Sequence, residues 1–171
     1  YCRWPVVAIP RANLPVLSRQ GTSEARWNAT DAWTASTVLR QHAGARVSVL
    51  ALGDPSCLAA EAADKAAAQG AFADVIVING FPLPEAFFAD IATRYAQVIT
   101  IEDGLIGTVD SGLRGFAGLA ASQLYRSLVE LDHIGITDPG VAPSDHFVKV
   151  WEHYGITATK VMESILKKGK G

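Results

Sequence analysis

The chain has 171 residues, of which 49% are hydrophobic and 19% charged, and its formal net charge is -2. This length suits one ordinary domain with an extension, and the composition excludes a wholly disordered chain. The near-neutral charge excludes a general attraction to nucleic acid or to an anionic membrane, and no apolar run is long enough to span a bilayer.

The first 45 residues predict one strand and a connecting segment. Residues 4–9 form a short apolar run between two prolines, which predicts a strand that ends just before Arg11-Ala12-Asn13-Leu14-Pro15. Residues 18–31 are polar and mixed, as in a linker. Residues 31–40 are interpreted as a short helix with Trp33, Val38 and Leu39 facing inward.

From residue 46 onward, predicted strands and helices alternate. Apolar runs rich in β-branched residues predict strands at 47–52, 74–78, 98–101 and 129–136. Helices are predicted at 55–69, 84–95, within 112–128, at 144–154 and at 157–167. Asp54 is the predicted N-cap of the first of these helices, and Thr157 that of the last. Strands that are apolar throughout indicate an α/β sheet covered by helices on both faces.

Two carboxylates at the end of the third of these strands are a candidate site. Glu102 and Asp103 precede Gly104. Because neighbouring residues of an extended chain point to opposite faces, they are poorly placed to act as an acid and base pair. A structural or interface role is therefore preferred over catalysis. The Gly53-Asp54-Pro55 turn could hold an anion at a helix start, but plain capping is the better interpretation.

Residues 104–118 contain five glycines. The helix start around Gly112-Leu113-Arg114-Gly115 could present free N–H groups to a phosphate. Glycines equally permit close packing between helix and sheet, and this structural interpretation is favoured. Arg114 is the cation of this loop to test first.

Neither the histidines nor the cysteines form a recognisable site in the sequence. The histidines are His42, His133, His146 and His153, and no pair of them has the spacing of a zinc site on one helix. A partly buried histidine with satisfied hydrogen bonds is expected at each position. Cys2 and Cys57 form no disulfide framework, which fits a reducing, cytoplasmic setting without a signal peptide.

The chain resembles the transketolase family, which depends on thiamine diphosphate, over nearly its whole length. The first match is Arg11-Ala12-Asn13-Leu14-Pro15, which is similar to the motif that closes the family's pyrimidine-binding domain. Further matches follow in the family's order at 49–53, 75–79 with Pro82, Glu102-Asp103-Gly104, 112–120 and 153–157. The resemblance implies three parts: residues 1–17 end the pyrimidine-binding domain, 18–45 form a linker, and 46–171 form the C-terminal domain.

This resemblance implies a fold and a role. The fold would be a three-layer αβα sandwich with a mostly parallel, mixed sheet of about five strands. The complete enzyme would transfer a two-carbon ketol unit between sugar phosphates in pentose phosphate metabolism. In the family the arginine at the position of Arg11 contacts the substrate phosphate, which implies that Arg11 binds substrate. The chain would otherwise serve dimer formation and architecture, with no catalytic residue of its own.

The cofactor motifs of the family are missing from this sequence. It contains no G-D-G…N motif for diphosphate and metal, and no glutamate of the kind that activates the thiamine ring. Thiamine diphosphate and a divalent metal, Mg²⁺ or Ca²⁺, are therefore expected in the complete enzyme and not on this chain alone. The expected partners are the remaining transketolase domains or a subunit that carries them, in a homodimer or heterotetramer. Nucleic acid and membrane are not expected partners.

Several alternatives remain open at the level of sequence. The chain could begin inside a longer polypeptide, since its first residue is Tyr1, or it could be a processed or split subunit. The same region of a 2-oxo acid dehydrogenase beta subunit or of a deoxyxylulose-phosphate synthase is the nearest alternative. Asn13-Leu14-Pro15 favours transketolase. A binding or regulatory module without a catalytic partner is the third possibility.

Overall fold

A computed structural model describes residues 34–168 of the chain. Its strands are β1 (Ser36–Arg40), β2 (Val47–Leu52), β3 (Ala73–Ile78), β4 (Gln97–Leu105) and β5 (Glu130–Ile136). Its helices are α1 (Ser56–Ala67), α2 (Phe87–Arg94), α3 (Gly115–Leu124), α4 (Phe147–His153) and α5 (Ala158–Lys168). None of the helices in this part of the chain is both long and apolar enough to cross a membrane.

The five strands form one mixed sheet in the order β1-β3-β2-β4-β5. Strands β2 to β5 are parallel to one another, and β1 pairs antiparallel with β3 at one edge. Parallel strands need helical crossovers, and these cover both faces of the sheet. The predicted sandwich with a mostly parallel, mixed sheet is confirmed.

Each face of the sheet has its own hydrophobic core. On one face, Val49, Val75 and Ile99 pack with the alanines of α1 and with Trp151 and Val161. On the other face, Leu50, Ile76 and Val98 pack with the buried residues of α2 and α3. Alternate residues of one strand point to opposite faces, so both sets must be apolar. This explains the continuous apolar runs in the sequence.

The predicted helix at 31–40 is wrong where the structure describes it. Residues Ser36–Arg40 form strand β1, and Leu39 is buried while Val38 is 45% exposed. The physical reason is the open edge of β3, whose backbone groups β1 satisfies from Ser36 to Arg40. This strand lies within the segment predicted as a linker, and the domain boundaries themselves stay predictions.

Two other element predictions need correction. Strand β4 continues through Glu102, Asp103 and Gly104 to Leu105, past an irregularity in its pairing with β5. Helix α4 begins at Phe147 rather than near residue 144. The predicted cap of the last helix is confirmed, since the N–H of Lys160 donates to Oγ1 of Thr157 at 3.2 Å.

Candidate functional site

The loops that carry the candidate residues meet at one edge of the sheet. They follow the carboxyl ends of β2, β3, β4 and β5, which are parallel and therefore end on the same side. Ligands of open α/β sheets bind at this side. Arg11, the predicted substrate-binding residue, lies outside the described residues, so its role stays a prediction.

Glu102 binds the start of helix α3. Its side chain is buried, with 4% of the residue exposed, and one carboxylate oxygen accepts a hydrogen bond at 2.8 Å from the N–H of Ala117. The first turn of a helix has unpaired N–H groups and a partial positive charge, which a carboxylate stabilises. The place at α3 where a ligand phosphate would bind is thus occupied by a carboxylate of the chain itself.

Two glycines make room for this carboxylate. A Cβ atom on Gly115 would lie 2.6 Å from Oε2 of Glu102, and one on Gly104 would lie 2.9 Å from the same atom. Gly115 also has a φ of +60°, in the left-handed region that favours glycine. The glycines of this loop therefore serve packing around Glu102, in agreement with the structural interpretation of the sequence.

Asp103 and Asp54 form the exposed acidic part of this edge. Asp103 is exposed whereas Glu102 is buried, as the alternation along an extended chain predicts. The pKa of Asp54 is raised, first by burial and then by the negative charge of Asp103. These two carboxylates are therefore close enough to repel each other, which fits neither a phosphate site nor an oxyanion site.

The predicted N-cap role of Asp54 is wrong. Its side chain makes no capping hydrogen bond, and Pro55 occupies the N-cap position of α1. The backbone oxygen of Asp54 instead accepts hydrogen bonds from the N–H of Cys57 at 3.4 Å and from Sγ of Cys57 at 3.3 Å. Burial raises the pKa of the Cys57 thiol, which keeps it protonated and unreactive near neutral pH.

The four histidines do not converge on a site. His133 is half-buried and lies 2.8 Å from Oγ1 of Thr100, as expected for a satisfied histidine. The same expectation is wrong for His146 and His153, which are exposed, and for His42, whose buried Nε2 has no hydrogen-bond partner. Within residues 34–168, no group of three or more His, Cys, Asp or Glu side chains could hold a metal ion.

His133 makes stability depend on pH. Burial lowers its pKa below the ordinary value of 6.5, and the charge of Asp132 offsets only part of that shift. The folded state therefore binds this proton less readily than the unfolded chain, and stability is lost as pH falls from the unfolded pKa through the folded one. We expect urea unfolding midpoints to fall between pH 7.5 and pH 5, and His133→Gln to reduce that fall.

The matched control is His153→Gln, which changes an exposed histidine. It should keep the full pH dependence of the wild-type chain. Equal pH dependence in His133→Gln and the wild type would contradict this assignment.

A polar network at the opposite edge was not predicted from the sequence. Asp74, near the start of β3, is 2% exposed and accepts hydrogen bonds from the backbone N–H of His42 at 2.8 Å and from the hydroxyl of Tyr95 at 2.6 Å. Arg94 Nη2 lies 3.4 Å from the same carboxylate. Burial and Asp74 raise the pKa of Tyr95. The sequence did contain a signal for this network, because Asp74 is a single acidic residue near the start of an otherwise apolar strand.

The described residues also form a groove of about 690 Å³ between α1, α4 and α5. Trp151 and Phe147 lie along it, with ring centroids 4.9 Å apart. Arg40 and Asp64 form a bidentate ion pair at its rim, at 2.7 and 2.8 Å. Cys57, whose thiol is protonated near neutral pH, and Thr157, the cap of α5, also line the groove.

Comparison with known proteins reveals the same fold in transketolases. No protein-family model matches the sequence, and no curated protein matches it. A split-gene transketolase described as an inactive beta4 tetramer matches with a TM-score of 0.72 and 22% identity, over 92% of this chain and 47% of that one. Transketolase from Campylobacter jejuni matches with a TM-score of 0.53 and 21% identity, over 79% of this chain and 19% of that one.

A third solved structure agrees with these two. A transketolase mutant from Pichia stipitis matches with a TM-score of 0.56 and 16% identity, over 80% of this chain and 18% of that one. The chain thus spans about half of the split-gene protein and about a fifth of the other two. At these identities the likeness shows the fold. The resemblance to transketolases holds at that level, and the chain has the fold of a transketolase C-terminal-like domain.

Proposed function

We propose that this chain is the C-terminal portion, or a separate subunit, of a transketolase-like enzyme that transfers a two-carbon ketol unit between sugar phosphates. The observation that carries the proposal is the match to a split-gene transketolase over 92% of this chain. The chain covers only 47% of that protein, so the proposal assigns it part of an enzyme. Its own contributions are architecture, dimer contacts and one arginine that binds the substrate phosphate.

The proposal leaves the cofactor to other parts of the enzyme. Thiamine diphosphate supplies the nucleophile and electron sink of ketol transfer when it is bound. The described residues do not fit its diphosphate, because the carboxylate of Glu102 already fills the glycine-rich start of α3 and would repel it. Thiamine diphosphate and its divalent metal are therefore assigned to the remaining domains or to a partner subunit, in a cytoplasmic homodimer or heterotetramer.

Arg11 is the residue of this chain that would touch the substrate. It follows a predicted strand in the Arg11-Ala12-Asn13-Leu14-Pro15 motif. A guanidinium group binds a phosphate with two parallel, charge-assisted hydrogen bonds. The support for this role is the motif. The role predicts that replacing Arg11 weakens the binding of substrates that carry a phosphate and not of substrates that lack one.

The test is Arg11→Ala in the complete enzyme, assembled with the polypeptide that carries the cofactor domains. We expect KM for phosphorylated sugars to rise by about tenfold or more, since a hydrogen bond to a charged group contributes roughly 1.5–3 kcal/mol. KM for an unphosphorylated ketose should change little. Steady-state kinetics with both substrates measures the difference.

Arg126→Ala is the control variant. Arg126 is exposed, and its guanidinium carbon lies 5.1 Å from the centroid of the Tyr125 ring, so it carries the same charge at a site without an assigned role. It should leave both KM values unchanged. Unaltered kinetics for the phosphorylated sugar in Arg11→Ala would reject the role of Arg11.

A further inference from the structure

The groove between α1, α4 and the start of α5 has no role in the function proposed above. Its volume of about 690 Å³ lies within the range of roughly 300–1,000 Å³ that is typical of small-molecule sites. Such sites have apolar walls and a few charged groups that orient the ligand. The apolar walls of this groove include Leu58 from α1, Phe147 and Val148 from α4, and Ile156. The groove therefore has the size and the walls of a ligand site.

Two aromatic rings form one wall of the groove. Phe147 and Trp151 are four residues apart on α4, so they lie on the same face of that helix. Their ring centroids are 4.9 Å apart, and their planes meet at 83°. Beside them, Val148 is 41% exposed. The faces of aromatic rings, those of tryptophan above all, attract organic cations, and groups of such rings hold quaternary ammonium ligands.

The charged residues of the groove also favour a cation. Three acids, Glu61, Asp64 and Glu152, stand against two cations, Arg40 and Lys65, so the lining has one negative charge in excess. Asp64 binds Arg40 at 2.7 and 2.8 Å, and Glu61 binds Lys65. Glu152 is exposed and belongs to none of the ion pairs within residues 34–168. An anion would have to break one of these pairs, whereas a cation can approach Glu152 directly.

The start of α5 does not call for an anion. Residues 157–159 line the groove, and the first turn of a helix ordinarily attracts negative charge. Here the N–H of Lys160 already donates to Oγ1 of Thr157 at 3.2 Å, so the chain supplies its own cap. Burial raises the pKa of the Cys57 thiol, which therefore adds no charge to the groove.

We propose that this groove binds a small organic cation with an apolar body, of the class of aromatic or branched alkyl ammonium compounds. The apolar body packs against Leu58 and Val148, and the cationic group lies at the rings of Phe147 and Trp151, within reach of Glu152. Helix α4 has seven residues and is about 10 Å long, which suits a molecule of one or two rings better than a helix of a protein partner. The inference does not depend on transketolase activity.

The test uses benzyltrimethylammonium as the probe and the full 171-residue chain. Replacing Trp4, Trp27 and Trp33 by Phe leaves Trp151 as the one tryptophan, so its fluorescence reports on the groove. We expect a saturable change with a Kd of about 1 mM or tighter, as for other ligands of this size. Benzyl alcohol, which is neutral, and phenylacetate, which is an anion, should bind at least threefold more weakly. The absence of saturation, or equal binding of all three compounds, would overturn the proposal.

A charge variant tests the role of Glu152. Glu152→Gln should raise the Kd of the probe about threefold, the effect of losing one exposed ion pair, and should leave the binding of benzyl alcohol unchanged. The matched control is Glu163→Gln, which neutralises an exposed acid of α5 outside the groove lining and should bind the probe as the parent chain does. Unchanged affinity for the probe in Glu152→Gln would show that the groove does not select a cation.

An apolar variant tests the walls of the groove. Val148→Ser should weaken binding of the probe and of benzyl alcohol alike, because it removes apolar surface that either ring would cover. Val109→Ser, at a site that is 81% exposed and outside the groove lining, is the matched control and should have no effect. Urea unfolding midpoints verify that all variants fold. Equal effects of Val148→Ser and Val109→Ser would contradict binding in this groove. An affinity that falls as the protein concentration rises would assign the groove to a contact between copies and also overturn the proposal.

Discussion

Gly115→Ala is expected to lower the free energy of unfolding by about 3 kcal/mol, because it combines backbone strain with overpacking. The residue has a φ of +60°, and a Cβ there would lie 2.6 and 3.0 Å from the two carboxylate oxygens of Glu102. Glu102 cannot simply move away, because it is buried and bound to the N–H of Ala117. Urea denaturation followed by circular dichroism measures the loss.

Gly112→Ala separates the two causes. Gly112 lies in the same loop with a φ of +88°, but a Cβ there would meet nothing within 4 Å. Gly112→Ala should therefore lower the free energy of unfolding by the backbone strain alone, about 1 kcal/mol. Adding Glu102→Ala to Gly115→Ala removes the clash, so the double variant should lose less than the sum of the single losses. Equal losses in Gly112→Ala and Gly115→Ala would show that Glu102 is not the obstacle.

Asp74→Ala should destabilise the domain by about 3 kcal/mol, because it leaves several polar groups without their acceptor. The hydroxyl of Tyr95 and the backbone N–H of His42 both donate to this carboxylate, and Arg94 lies beside it. The network joins the loop between β1 and β2 to the end of α2. Its loss should therefore also increase hydrogen exchange in that loop.

Two control variants accompany Asp74→Ala: one removes an exposed acid, and the other keeps the shape of the Asp74 side chain. Asp64→Ala removes an acid whose side chain is 54% exposed, and its ion pair with Arg40 should contribute only about 1 kcal/mol or less. Asp74→Asn keeps an acceptor for Tyr95 and should lie between the two alanine variants. A loss in Asp74→Ala no larger than that in Asp64→Ala would refute the importance of this buried network.

Sequence reasoning predicted best the elements that are buried because they pack into a hydrophobic core. Strand β2 is apolar and helix α1 has one apolar face because each packs into the core, and the sequence pattern of each reflects it. Strand β1 was mistaken for a helix because, within residues 34–40, only Ala35 and Leu39 are buried, and its pairing partner β3 lies far along the sequence. An edge strand forms where the strand beside it has unpaired backbone N–H and C=O groups. The hydrophobic periodicity of the edge segment itself carries no information about those groups.

The candidate site was predictable only in outline. That Glu102 and Asp103 point to opposite faces follows from strand geometry alone. That Glu102 reaches the N–H of Ala117 depends on how α3 returns to the sheet, and a local pattern holds no such information. The Asp74 network was missed for the same reason, since its donors come from a loop and a helix end separated from it along the chain.

The position of β1 has a consequence for how such a domain can be divided from its neighbours. Among the strands of residues 34–168, β1 pairs with β3 alone and lies at the border of the sheet. A genetic break upstream of Thr34 would keep the strand pairings and both core clusters of residues 34–168 on one polypeptide. Fission of one reading frame into two, with later reassembly of the products, is thus compatible with this architecture.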